Sequence, residues 1–219
     1  MGVSSRSAPS DGEAAPARVV LRPLATPLPL GFLGQAVASW AFGCLQLSWI
    51  GQGQGHTIAL GVVAFTVPLQ LVAAVLGFLA RDPVAGTGTA LLAGGWAVLA
   101  AATLTSPPGA TSSGLGVLLL GVAAALLVPA AVSATRLAAC AVLTLSVVRF
   151  AVTAVAELTG GQGWLHAAGW VGVVLAATSL YAAAAFELEA IAGRRLLPLG
   201  RVAGRAVPLH QEPGVRPMP

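Results

Sequence analysis

Six apolar stretches, at about 29–50, 58–80, 86–104, 115–134, 137–158 and 166–190, constrain this chain more than any other feature. Each approaches the roughly 20 residues that a helix needs to cross a hydrocarbon layer about 30 Å thick. Inside such a layer every backbone N–H and C=O must bond within the protein, so runs of this length are helices. Strands of a membrane barrel would be about half as long and would alternate polar with apolar residues, which these do not. The expected fold class is therefore all-α: a polytopic integral membrane protein with six transmembrane helices. Composition agrees, because only 8% of the residues are charged, against about 25% in a soluble domain. So few charges cannot clothe a water-facing surface, and lipid must be the solvent for most of the chain.

All eleven basic residues are Arg, and their placement sets the expected topology. Arg6, Arg18 and Arg22 precede the first span, Arg81 separates the second from the third, and Arg136 separates the fourth from the fifth. Arg194, Arg195, Arg201, Arg205 and Arg216 follow the sixth. The opposite loops, 51–57, 105–114 and 159–165, contain no Arg. The positive-inside rule then puts both termini in the cytoplasm of a cell whose plasma or inner membrane holds the protein. Residues 1–25, rich in Ser, Pro, Ala and Arg, and 201–219, with three Arg and four scattered Pro, lack periodicity and read as disordered cytoplasmic tails around a membrane domain over 26–200. Ala36-Val37-Ala38 mimics a signal-peptide cleavage site, but the apolar run continues through Ile50 and five more spans follow, against cleavage. A net charge of +4 made of arginines dispersed at span ends is a topology signal rather than a nucleic-acid surface. Cys44 and Cys140 both lie inside apolar runs, so no disulfide and no metal site are expected.

The eleventh arginine, Arg149, falls at the middle of the fifth span. An ionised group there costs several kcal/mol unless it faces a partner or a water-filled cavity, and a guanidinium does not escape by deprotonating. Ser146, Arg149, Thr153 and Glu157 recur at spacings of three and four, on one helical face. Two readings stand: a path for a hydrophilic solute, with Arg149 offering charge to an anion, or an internal salt bridge holding the bundle. Glu157 is a poor partner for the second, since eight residues along a helix is about 12 Å, and no other acid sits at that depth. A guanidinium's planar fork suits carboxylates. Gln35, Ser39 and Gln46 make a second polar stripe in the first span; Thr66 and Gln70 make a third in the second span, around a Pro68 expected to kink it. Glu157 and His166 flank the connector between the last two spans, where a carboxylate and an imidazole could relay protons or simply sit at the wet interface. Trp40, Trp49, Trp96, Trp164 and Trp170 read as aromatic belts near span ends. No metalloprotease, Walker or paired-carboxylate motif occurs, and no enzymatic activity or cofactor is expected.

The first span opens Thr26-Pro27-Leu28-Pro29-Leu30-Gly31-Phe32, which resembles the N-P-A-P-L-G-L signature of the acetate uptake transporter family, also called the succinate–acetate permease family. His166-Ala167-Ala168-Gly169-Trp170-Val171-Gly172 is similar to that family's H-x-A-G-W-x-G, with Tyr181 at the place of a family Tyr. Gly193-Arg194-Arg195-Leu196-Leu197-Pro198-Leu199-Gly200 resembles its G-R-x-x-L-P-x-G ending. Phe65 and Gln70 are similar to the second aromatic and the Gln of its F-Y-G-G-x-x-Q segment, and Trp96 fits the tryptophan of its third helix. The resemblance implies a six-helix protomer that assembles as a hexamer, each protomer passing acetate or succinate as a proton symporter or an anion channel. It makes Gln70 a pathway residue. The departures bear on substrate: the family's leading Asn is Thr26 here, and the aromatic, Tyr and Leu of its narrow gate become Gln35, Leu92 and Ser146. Its acid late in the second helix becomes Gly77.

The expected function is membrane transport of small carboxylate anions, with Gln35, Gln70, Leu92, Ser146 and Arg149 along the path and protons as a possible co-substrate. The rival is a non-transporting sensor or assembly protein on the same scaffold. A sealed Arg149 would favour the rival and a water-filled passage to it would count against. A cation channel is disfavoured, since no acid lies mid-membrane.

Overall fold

The computed structural model describes residues 25–192, and all the regular structure in them is helical. The tails expected over 1–25 (all but its last residue) and 201–219, the arginines within them, and the closing Gly193–Gly200 motif with Arg194 and Arg195 lie outside the described residues. The helices are α1 (Leu28–Gln46), α2 (Gly55–Gly61), α3 (Val67–Leu79), α4 (Pro83–Thr105), α5 (Ser113–Val132), α6 (Leu137–Thr159) and α7 (Gln162–Ala192). A π-helical turn, Val62–Thr66, joins α2 to α3, so the two form one span. Among the described residues six helices are thus long and apolar enough to cross a membrane, and the protein is a multi-pass membrane protein.

Local chemistry sets the ends. Asp82 and Ser112 cap α4 and α5 by accepting from Ala85 N (3.1 Å) and Leu115 N (3.3 Å). Gly160, at φ 66°, takes the left-handed conformation that ends α6. With Gly161 it makes the whole turn, so α7 starts at Gln162, four residues earlier than apolarity suggests. Conversely α1 stops at Gln46 although the apolar run continues to Ile50. There Ser48 N donates to Leu45 O and Trp49 N to Cys44 O, with Ser48 at φ 58°, the Schellman closure of a helix. Pro68 lacks the N–H that would bond one turn back, and the π-helical turn just before it absorbs the mismatch.

Each span packs on its neighbours in sequence, and α1 closes on both α3 and α7, so the six spans form a ring in chain order. An even number of spans returns the chain to the end at which it began. We call that end proximal; it carries the turns with Arg81 and Arg136. The distal end carries the connectors 47–54, 106–112 and 160–161. Phe42, Leu92, Trp96, Leu119, Leu126 and Phe150 fill the middle of the ring, and Leu28, Phe32, Val142, Leu175 and Phe186 pack between α1, α6 and α7. Large apolar side chains such as Leu60, Val75, Leu118 and Val128 point outward, as a lipid-facing surface requires. Trp40, Trp49 and Trp170 cluster edge to face on the outside, with ring centroids 6.0 and 5.7 Å apart. Trp96 is no belt residue: it is fully buried at mid-span.

Candidate functional site

Gln35 projects from α1 into the centre of the ring and is fully buried. Its Oε1 accepts from Trp96 Nε1 of α4 (2.7 Å) and from Gln70 Nε2 of α3 (3.0 Å). Its Nε2 donates to Ser146 Oγ of α6 (3.1 Å) and, more weakly, to Ser39 Oγ (3.4 Å). Four spans therefore converge on one amide. Gln70 Nε2 also reaches Gly31 O at 3.4 Å, while Gln70 Oε1 has no partner among the described residues. Leu92 lies in the adjoining apolar cluster, as fully buried as Gln35, Gln70 and Ser146. On the distal side of the amide the ring is filled, with Trp96 stacked on Phe42 at 5.7 Å and tilted against Phe150 at 5.3 Å.

One turn further along α6, toward the distal end, Arg149 is only 1% exposed. Its Nη1 donates to Gln46 Oε1 of α1, to Ala168 O of α7 (2.8 Å) and to Thr153 Oγ1 (3.1 Å). Its Nε and Nη2 find no acceptor among the described residues. Among the described residues no carboxylate contacts it, and the internal salt bridge is not formed there. Gly172 lets the α7 backbone lie against the guanidinium: a Cβ at that position would stand 3.1 Å from Nε and 3.2 Å from Cζ. The stripe read from the spacing of Ser146, Arg149 and Thr153 thus faces inward between α1 and α7.

At the distal end a vestibule of about 100 Å³ opens among the connectors, room for several waters. Gln52, His56, Ser112 and Glu157 line its sides, and Phe42, Leu45 and Gln46 line its inner end. Glu157 accepts from Ser112 N at 2.8 Å, which ties α6 to the start of α5. His166 is exposed, one turn inside α7, and is not among the lining residues. No hydrogen bond joins it to Glu157; the imidazole that shares the vestibule with that carboxylate is His56, within 3.3 Å of Ser106 O. Of the opening motif, Pro27, Pro29 and Gly31 are buried, Leu30 is half-buried and Thr26 exposed. Their place is the proximal start of α1, where Gly31 lies against Thr89 of α4. Gly77 contacts the backbone of Gly86, and a Cβ there would come within 2.5 Å of Gly86 N, so no acidic side chain fits.

Sequence spacing named Gln46 and Thr153 but gave no sign that they hold Arg149. The roles of Trp96, His56, Ser112 and Gly172 carried no signal of their own, although Gly172 and Trp96 stand in the segments that carry the family resemblance.

No family model matches the sequence, and no curated protein matches it significantly. Among solved structures, one described as the bacterial acetate channel SatP is similar over 81% of this chain and 99% of that chain. The TM-score is 0.69 and the sequence identity 24%. A likeness at this identity establishes a shared fold.

Proposed function

We propose that this protein belongs to the acetate uptake transporter family and passes small carboxylate anions, acetate or succinate in kind, across the cytoplasmic membrane. The observation that carries the reading is Arg149. A permanently charged fork at the middle of a span, turned inward and without an acidic partner among the described residues, suits an anion and little else. The fold it shares with an acetate channel points the same way. Gln35, Gln70, Leu92 and Ser146 sit on α1, α3, α4 and α6 where a central path would be narrowest, and they supply a neutral, hydrogen-bonding gate. The mechanism is a proton symporter or an anion channel. Short carboxylic acids, with pKa values of about 4–5, are anions at neutral pH. An inside-negative potential opposes their entry by about 2.3 kcal/mol per 100 mV, which a co-transported proton cancels. Glu157, with His166 or with the nearer His56, is the group through which a proton would enter. Both termini are cytoplasmic in this reading, and six-fold assembly follows from the family.

A second reading has its own observation. Gln35, Gln70, Leu92 and Ser146 are sealed, and the vestibule ends at Gln46 short of Arg149, as suits a non-transporting sensor on this scaffold. Uptake of labelled acetate and succinate into liposomes, with and without an inward proton gradient, separates the two. Saturable uptake that collapses in Arg149→Ala supports the pathway, and gradient dependence marks a symporter. Uptake no faster than into empty liposomes sinks acetate and succinate as substrates and moves the sensor forward.

A further inference from the structure

Arg149 uses its nitrogens unequally. Nη1 alone meets Gln46, Thr153 and Ala168, while Nε and Nη2, both buried, have no acceptor among the described residues. Those two nitrogens are adjacent along one edge of the guanidinium, and their N–H bonds run parallel. That edge is the one that takes both oxygens of a carboxylate at once. A cation held this deep without a counter-charge costs several kcal/mol, and a bound anion would offset it.

Gln46 connects this edge to water. It is the last residue of α1, its side chain borders the vestibule, and its Oε1 is on Arg149 Nη1. Beyond it the chain turns through Leu47 and the left-handed Ser48, so the side chain hangs from a helix end and not from a packed mid-helix position. Its amide is a neutral acceptor. A carboxylate makes charge-assisted bonds roughly twice as strong, so an anion that moves the Gln46 side chain aside gains more on the free edge than Nη1 loses.

The geometry points to an occluded carboxylate site on the Nε–Nη2 edge of Arg149, with Gln46 as the latch that an anion in the vestibule must displace. The inference rests on the carboxylate reading above and adds where the anion stops and what admits it. It also explains why a buried cation reaches for a glutamine of α1 across the bundle when no acid is offered: a neutral partner can be exchanged, whereas a fixed carboxylate could not.

Replacing the latch by its own anion tests this. Gln46→Glu has the same length and would neutralise the guanidinium from Nη1 and hold the latch shut. Binding is read by titrating 13C-acetate into the full-length protein in nanodiscs and following saturation-transfer NMR; uptake of labelled acetate into liposomes is measured in parallel. Gln46→Glu is expected to weaken acetate binding roughly tenfold or more, with thermal stability no lower than wild type. Arg149→Lys keeps the charge, loses the fork and is expected to weaken binding by a similar factor, which gives a reading even where Gln46→Glu folds poorly. Acetate binding within twofold of wild type in either folded variant overturns the site. Wild-type binding that both variants lose, without any uptake, leaves the site standing and overturns transport. Uptake that both variants retain leaves transport standing and overturns the site.

Discussion

A glutamine amide has two donor positions and a carbonyl that accepts two bonds, and Gln35 fills all of them with Trp96, Gln70, Ser146 and Ser39. Replacing it with Leu keeps the volume and removes one hydrogen bond from each of the others. Trp96 Nε1 would have no acceptor, at a cost of about 1–3 kcal/mol, while Gln70 would keep only its 3.4 Å bond to Gly31 O. Gln35→Leu should therefore lower the unfolding temperature in detergent clearly below that of wild type, and an unchanged midpoint would show that the amide is not central to the bundle. Arg149 should behave in the opposite sense. Burying a charge costs several kcal/mol in desolvation, which the neutral acceptors Gln46, Thr153 and Ala168 repay only in part. Arg149→Met is expected to unfold no earlier than wild type while acetate uptake falls roughly tenfold or more. Stability and transport measured on one preparation check both halves. That Arg149 must face inward was legible from its charge alone. That Gln46, eleven residues along α1 from Gln35, would be its partner was not, because the pairing depends on the rotation of α1 against α6.

Helix ends obey chemistry that apolarity does not report. The first span ends four residues before its apolar run does, because the chain turns left-handed at Ser48. A non-glycine residue held there costs on the order of 1 kcal/mol, so Ser48→Gly is expected to raise the unfolding temperature by a few degrees, with no change or a decrease counting against the strain. Arg81 closes α3 in the same way, with φ 56° and Asp82 N donating to Gly77 O. Next to it, Asp82 pairs with Arg136, tying the α3–α4 turn to the α5–α6 turn. That pair is partly exposed and is worth at most about 1 kcal/mol. The close approach of α3 and α4 matters more. Gly77→Ala would drive a Cβ to 2.5 Å from Gly86 N, and the overpacking should cost about 1–3 kcal/mol, read as an earlier melting transition. The break at Pro68 was foreseeable from the ring that lacks an N–H; that it would take the form of a π-helical turn at Val62–Thr66 was not, because that depends on how α4 and α1 hold the span.

At the scale of the molecule the ring presents a proximal end with Arg81 and Arg136 and a distal end whose connectors carry no arginine. If the positive-inside rule governs insertion, a cysteine placed by Ser106→Cys, in a background with Cys44→Ala and Cys140→Ala, should react with an impermeant maleimide in intact cells. Ala134→Cys in the same background should react only after the membrane is opened, and the reverse pattern would invert the topology. The amino-acid sequence by itself determined the fold class, the number of spans and which polar residues share a helical face. Those follow from two local constraints, the need to bond every amide inside lipid and the 3.6-residue turn. Tertiary structure alone decided that Gln35, Gln70, Trp96 and Ser146 meet in one network, that Arg149 lies against Gly172 and holds Gln46, and that His56 instead of His166 shares the vestibule with Glu157. The physical reason is that periodicity fixes directions around one helix axis, whereas contacts between helices depend on their relative rotation and shift along the bundle. Side-chain volumes from the whole ring set those together, and no single segment encodes them.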